Sequence, residues 1–259
     1  MQTLMFKSEK KASRTMTESL RSLRTNLTFC GDDVKTIMIT SSVPNEGKST
    51  VSYELARSLT ESNKRVLIID TDMRKSVLAG RLGARTYDKQ DIKGLSHYLS
   101  GQCPMGEALY NIDTNPNLYM LFAGPSVPNP TELLEKQYFQ DLITYAKTQF
   151  DYVIIDCAPI GAAIDAAVVA KYCDGAILVV AQGMVSSRMV ASVKKQLEVS
   201  GVRILGAVLN KVVMKERRYG GYYGKYYNKY YGGYYGSYYG SYYGDADDAE
   251  SDNASKKNE

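Results

Sequence analysis

Six short apolar runs set the frame for this chain: KTIMITS (Lys35 to Ser41), RVLIID (Arg65 to Asp70), LYMLFAG (Leu118 to Gly124), DYVIID (Asp151 to Asp156), GAILVVA (Gly175 to Ala181) and RILGAVLN (Arg203 to Asn210). Each is rich in Ile, Val or Leu, as expected for strands buried on both sides. Segments with helical character separate them: Gly47 to Leu59, Thr131 to Phe150, and a stretch around Arg188 to Val199. This alternation predicts an α/β doubly wound domain, a mostly parallel sheet flanked by helices. In such sheets ligands bind beyond the carboxyl ends of the strands. A chain of 259 residues, 44% of them hydrophobic, can supply one large core.

The flanks differ from this middle. Met1 to about Ser13 reads as a polar arm. A helix is predicted to start near Thr15, where Thr15-Met16-Thr17-Glu18 fits a capping box. Leu20, Leu23 and Leu27 share one face of that helix, and Glu18, Arg21 and Arg24 lie along another arc. From about Tyr219 apolar periodicity ends. Six tyrosine pairs follow at four-residue intervals: Tyr222 and Tyr223, Tyr226 and Tyr227, Tyr230 and Tyr231, Tyr234 and Tyr235, Tyr238 and Tyr239, and Tyr242 and Tyr243. Gly, Ser, Asn and Lys stand between them. Repeated Gly opposes a helix, and an acidic tip from Asp245 to Asp252 closes the pattern. The expected division is an arm (1–14), a nucleotide-binding domain with its N-terminal helix (15–214) and a flexible tail (215–259).

Several classes are disfavoured. A net charge of +4 is too mild to indicate nucleic acid, and no such partner is expected. Cys30, Cys103, Cys157 and Cys173 have no short spacing, which argues against a metal or redox pair. The start MQTLMFKSEKK lacks the apolar segment of a signal peptide. The apolar stretch from Val153 to Ala170 is interrupted by Asp156 and Asp165 and cannot span a bilayer. A reduced, cytoplasmic protein is expected.

The chemistry gathers at the strand ends. The first run leads into SSVPNEGKST, Ser41 to Thr50. Ser42-x-x-x-x-Gly47-Lys48-Ser49, placed between a strand and a helix, has the form of a phosphate loop with Ser in place of the first Gly. In such a loop backbone amides cradle phosphate oxygens, Lys48 reaches the β- and γ-phosphates and Ser49 coordinates Mg²⁺. The second run delivers Asp70-Thr71-Asp72-Met73-Arg74, and the fourth delivers Asp156. Both should reach the sheet edge that carries the loop, where a hydrated Mg²⁺ needs carboxylates.

Together SSVPNEGKS, LIIDTDMR and VIIDCAP resemble the Walker A, Walker A′ and Walker B motifs of the bacterial tyrosine kinases (BY-kinases), in particular the Gram-positive cytoplasmic kinases of capsule and exopolysaccharide assembly, the CpsD/CapB type. ESLRSLRTN (Glu18 to Asn26), AGPSVPNPTELL (Ala123 to Leu134) and ILGAVLNKV (Ile204 to Val213) are also similar to that family's pattern. Ala158 stands where the family often has Pro. The resemblance implies a P-loop fold like that of the ParA and MinD ATPases, with ATP and Mg²⁺ as cofactors. It also implies autophosphorylation of the tail tyrosines, both members of each pair being candidates.

The site implied has Lys48, Asp70, Asp72 and Asp156 as catalytic groups, with Asp70 the first candidate to accept the phenol proton and Asp72 to support the metal, a division that the family pattern leaves open. Pro44, Asn45, Glu46, Gly47, Lys48, Ser49, Thr50, Arg74 and Asn210 surround the nucleotide, and Ser49, Asp72 and Asp156 hold the metal. Glu18, Arg21 and Arg24 would pair with a neighbouring subunit in a ring-shaped homo-oligomer, an octamer being one size. The implied partners are a transmembrane activator, or polysaccharide co-polymerase, that recruits the kinase to the inner face of the membrane, and a cognate tyrosine phosphatase. Two other readings share the fold: a ParA/MinD-type positioning ATPase, and a scaffold whose assembly is gated by nucleotide. Ser42-Val43-Pro44 lacks the second, signature lysine of the positioning ATPases, and an iron–sulfur carrier would need a cysteine pair that is missing.

Overall fold

In the computed structural model, residues 2–7 and 12–213 are described. The expected phosphorylation sites lie outside the described residues: Tyr222, Tyr223, Tyr226, Tyr227, Tyr230, Tyr231, Tyr234, Tyr235, Tyr238, Tyr239, Tyr242 and Tyr243. So does the acidic tip. The strands are β1 (Gln2–Phe6), β2 (Thr36–Ser41), β3 (Val66–Asp70), β4 (Ala84–Thr86), β5 (Tyr110–Ile112), β6 (Asn115–Leu121), β7 (Tyr152–Asp156), β8 (Gly175–Ala181) and β9 (Ile204–Asn210). The helices are α1 (Arg14–Thr28), α2 (Lys48–Thr60), α3 (Leu78–Leu82), α4 (Leu95–Leu99), α5 (Met105–Ala108), α6 (Pro130–Leu134), α7 (Gln137–Gln149), α8 (Asp165–Ala170) and α9 (Ser187–Val199).

The strands form one sheet in the order β4-β1-β5-β6-β3-β7-β2-β8-β9. The pairs β1–β4 and β5–β6 are antiparallel and the rest are parallel. The pleat sorts the central strands into two cores. Met38, Leu67, Ile69, Val153 and Ile155 face a layer that includes α7, α8 and α9. Ile37, Ile39, Val66, Ile68 and Ile154 face α2, α3 and Leu27 of α1. Successive side chains of a strand point to opposite faces, so a run with both sets apolar needs helices on both sides. Register then fixes the functional edge. Ile39 of β2 is level with Asp156, and Asp156 is level with Asp70.

The doubly wound, mostly parallel fold is borne out, and three details are corrected. The polar arm is in part a strand: Gln2–Phe6 pairs with β4 and β5, and Leu4 is fully buried. Five residues are too few to display a period, and the partners are distant in sequence. The cap of α1 is Ser13, not Thr15: its Oγ accepts from the Met16 amide at 3.2 Å, and the helix begins at Arg14, next to the expected start. Glu18 pairs with Arg21 at 2.8 Å and takes no part in a capping box. The long helix expected from Thr131 divides into α6 and α7, because the backbone turns extended at Lys136.

A carboxylate anchors the entry to β2. Asp174 Oδ2 accepts from the amides of Lys35 at 3.1 Å and Thr36 at 2.8 Å, and its Oδ1 accepts from Lys147 Nζ at 2.6 Å. Burial pushes this carboxyl up, but the Lys147 ammonium and the two amides outweigh it and hold it below the usual range. A depressed folded value means that the contribution is complete above the unfolded pKa and is lost as pH falls through the folded one. Asp174→Asn is expected to destabilise the protein by about 2 kcal/mol at pH 7. The gap between variant and parent should close below about pH 4. Urea unfolding of both at neutral and acid pH measures this.

Candidate functional site

The loop from Ser42 to Gly47 joins the end of the central strand β2 to α2. Asn45 and Gly47 are left-handed, with φ of 67° and 95°. Asn tolerates this conformation. At Gly47 the positive φ itself favours glycine, and a Cβ would also lie 2.2 Å from Asn210 Nδ2 and displace that side chain. Gly47 is the N-cap of α2 and brings no side-chain acceptor. The first amides of the helix are therefore left for a ligand, and the helix dipole favours an anion there.

The rest of the loop is tied into the sheet. Glu46 is wholly buried. Its Oε2 accepts from the amides of Ser42 at 2.6 Å and Val43 at 2.9 Å, and its Oε1 from that of Ala181 at 3.1 Å. Asn210 Nδ2 donates to the Glu46 carbonyl at 2.8 Å, and Lys211 Nζ donates to the Asn45 carbonyl. Asn210, expected beside the nucleotide, thus also holds the loop. Thr50 accepts from Arg81.

Beyond the loop lies a carboxylate cluster around one lysine. Lys48 Nζ is 3.0 Å from Asp72 Oδ2 and 3.9 Å from Asp156 Oδ1, and it approaches Ser49 Oγ at 3.5 Å. Burial pulls the Lys48 ammonium down, but Asp156 and Asp72 together outweigh it and hold it above its ordinary value. Asp156 also accepts from Ser52 Oγ at 3.2 Å, and burial pushes its carboxyl up. Asp70 is 1% exposed. Burial, with repulsion from Asp156, pushes it up to about 7, against the opposing bonds it receives. Those bonds come from Ser76 Oγ to Oδ2 at 2.6 Å and from the Asp72 amide to Oδ1 at 3.0 Å. A carboxyl near this value can exchange a proton at neutral pH.

Three carboxylates, Asp70, Asp72 and Asp156, thus face one cation, Lys48, among the described residues. The surplus negative charge and hard oxygens of Ser49, Asp72 and Asp156 fit Mg²⁺. Among the described residues no three acidic, His or Cys side chains converge closely enough to form a cage.

Arg74 and the charges of α1 find partners within the protein. The Arg74 guanidinium forks onto Asp165, at 2.6 Å from Nε and 3.1 Å from the second nitrogen, and Thr131 donates to the same carboxylate. It ties the loop after β3 to α6 and α8. Arg24 reaches the Ser58 carbonyl and Glu61, the latter at 3.8 Å, so it packs α1 on α2. Glu18 and Arg21 stay exposed. Sequence reasoning missed Ser52, Ser76, Asp165 and Lys211. Ser52 alone had a signal, since it lies one helical turn after Lys48.

Comparison with known proteins places this geometry. A family model described as an AAA domain matches residues 34–200. Tyrosine-protein kinase CpsD of Streptococcus agalactiae is 42% identical over 206 residues, 79% of this chain and 87% of that protein. The crystal structure of the chimerical protein CapA2B2 superposes with a TM-score of 0.72 at 29% identity, covering 80% of this chain and 88% of that one. The septum site-determining protein MinD of Pyrococcus horikoshii, complexed with Mg-ADP, gives a TM-score of 0.58 at 26% identity over 74% of this chain and 76% of its own. With a CpsD relative this similar along most of both lengths, and a P-loop site built on the matching sheet, the chain belongs to the bacterial tyrosine kinases of the CpsD type.

Proposed function

We propose that this protein is an ATP-dependent tyrosine autokinase whose substrates are the tyrosine pairs between Tyr222 and Tyr243. The observation that carries the reading is Lys48, held between Asp72 and Asp156 beside an uncapped helix N-terminus, with Asp70 level with Asp156. Phosphoryl transfer asks mainly for positioning and charge neutralisation. The α2 amides and Lys48 hold the phosphates of ATP. Ser49, Asp156 and Asp72 offer oxygen ligands to Mg²⁺, which when bound neutralises phosphate charge. Asp70 Oδ2 accepts the phenol proton as the tyrosine oxygen attacks, at the atom to which Ser76 donates. Arg74 keeps the Asp72 loop in place through Asp165.

The MinD likeness supports the nucleotide and metal assignments as well as the alternative of a positioning ATPase. The CpsD relative's name and higher identity, with no lysine at Ser42-Val43-Pro44, favour the kinase. In this reading the tail is phosphorylated between subunits of a ring. A membrane-embedded partner recruits the enzyme and a phosphatase reverses the modification, timing capsule or exopolysaccharide export. No helix among the described residues is long and apolar enough to cross a membrane, which suits such a partner.

Lys48→Met is expected to lower tail phosphorylation by about a hundredfold or more while the fold persists. Phosphotyrosine blotting after incubation with Mg-ATP, beside a circular dichroism melt, tests it. Robust phosphorylation by the purified variant would refute this site. For assembly, Arg24 is committed to α2, which leaves Glu18 and Arg21 to meet a neighbour. Arg21→Ala should therefore shift the light-scattering mass from ring to monomer, and an unchanged mass would remove this pair from the interface.

A further inference from the structure

Glu46 is a buried carboxylate inside a loop that receives anions. Such a charge would repel phosphate unless it is satisfied elsewhere. Three backbone amides satisfy it, those of Ser42 and Val43 on one side and Ala181 of β8 on the other. The carboxylate therefore does two things. It takes the first two amides of the loop for itself, and it bolts the loop to the end of a neighbouring strand. Asn210 and Lys211 hold the carbonyls of Glu46 and Asn45 from the same side of the sheet. Between them sit the left-handed residues Asn45 and Gly47, a conformation that needs such support.

We propose that Glu46 is a positioning residue of the nucleotide site: its carboxylate turns the amides of Ser42 and Val43 away from the phosphates and fixes those from Gly47 onward to receive them. The proposal rests on the reading of this loop as the ATP site. It assigns Glu46 a part in binding ATP without contact between its side chain and the ligand.

Glu46→Gln isolates the effect. The variant has one acceptor oxygen for donors on two sides. Whichever way its amide turns, its NH₂ meets a backbone N–H, and either Ala181 or the Ser42–Val43 pair is left unsatisfied. The full chain is titrated with Mg-ATP, and Mg-ADP binding is followed by calorimetry. The KM for ATP should rise about tenfold and Mg-ADP binding weaken in parallel, with kcat within about twofold of the parent. A merely structural role would lower kcat through loss of folded enzyme and leave KM unchanged, and that result overturns the proposal. Should Glu46→Gln not fold, Glu46→Asp keeps the charge but is too short to reach both sides, and the same KM shift is expected. An unshifted KM in that variant also overturns it. Lys48→Met separates the two levels. If it binds and turns over nucleotide normally, the loop is not the site and the proposed function falls. If it is inactive while Glu46→Gln binds Mg-ADP like the parent, only the role of Glu46 falls.

Discussion

The contact on which this architecture turns is the one between Lys48 and the carboxylates of Asp72 and Asp156. Asp156 is 1% exposed and Asp72 7%. Charges so buried are unfavourable unless paired, and removing one partner leaves the other uncompensated. The three residues come from the first turn of α2, the loop after β3 and the end of β7. They meet only because β3, β7 and β2 are consecutive in the sheet. Strand order, loop conformation and charge pairing are one constraint seen at three scales. A shift of one residue in the β3–β7 register would turn Asp70 or Asp156 to the other face of the sheet.

The central fold was legible because burial on both faces leaves a strong mark. A strand such as Thr36–Ser41 has no exposed residue, so its composition announces its place. The edges carried no such mark. β1 has five residues, and β4 and β5 have three each. The pairing of β1 with β4 and β5 joins segments far apart in the chain, and only that pairing places Leu4 in one core with Tyr110 and Ile112. Local chemistry likewise misplaced the cap of α1. Thr15 and Ser13 are both capping residue types, and the geometry of the Met16 amide picks Ser13.

The site divides along the same line. Lys48 and Ser49 open α2 in a recognisable loop pattern, and Asp70, Asp72 and Asp156 sit at or just after strand ends, so local pattern placed them. What restrains them is long-range and was not legible. Arg74 meets Asp165 across 91 residues, Glu46 meets Ala181 across 135, and Asn210 meets Glu46 across 164. Position in the chain places Arg74 and Asn210 near the ligand but does not show their protein partners, whose bonds fix the loops that present the chemistry.

This arrangement puts two opposite half-sites side by side. On one, the free amides of α2 and the left-handed turns at Asn45 and Gly47 attract anions. On the other, Asp70, Asp72 and Asp156 attract a cation, and Asp70 can take up a proton. Lys48 lies on the boundary, with three donor hydrogens and a stem long enough to serve both sides. Glu46 keeps its own charge out of this balance by directing it to amides that face away from the ligand. Without that, a fourth carboxylate would stand next to the polyphosphate and weaken the half-site that must hold it. The separation matters for phosphoryl transfer, which needs the phosphates held on one side while the proton leaves on the other. A sheet edge meets that need directly, because adjacent strands end within about 5 Å of one another and can carry opposite chemistry across that gap.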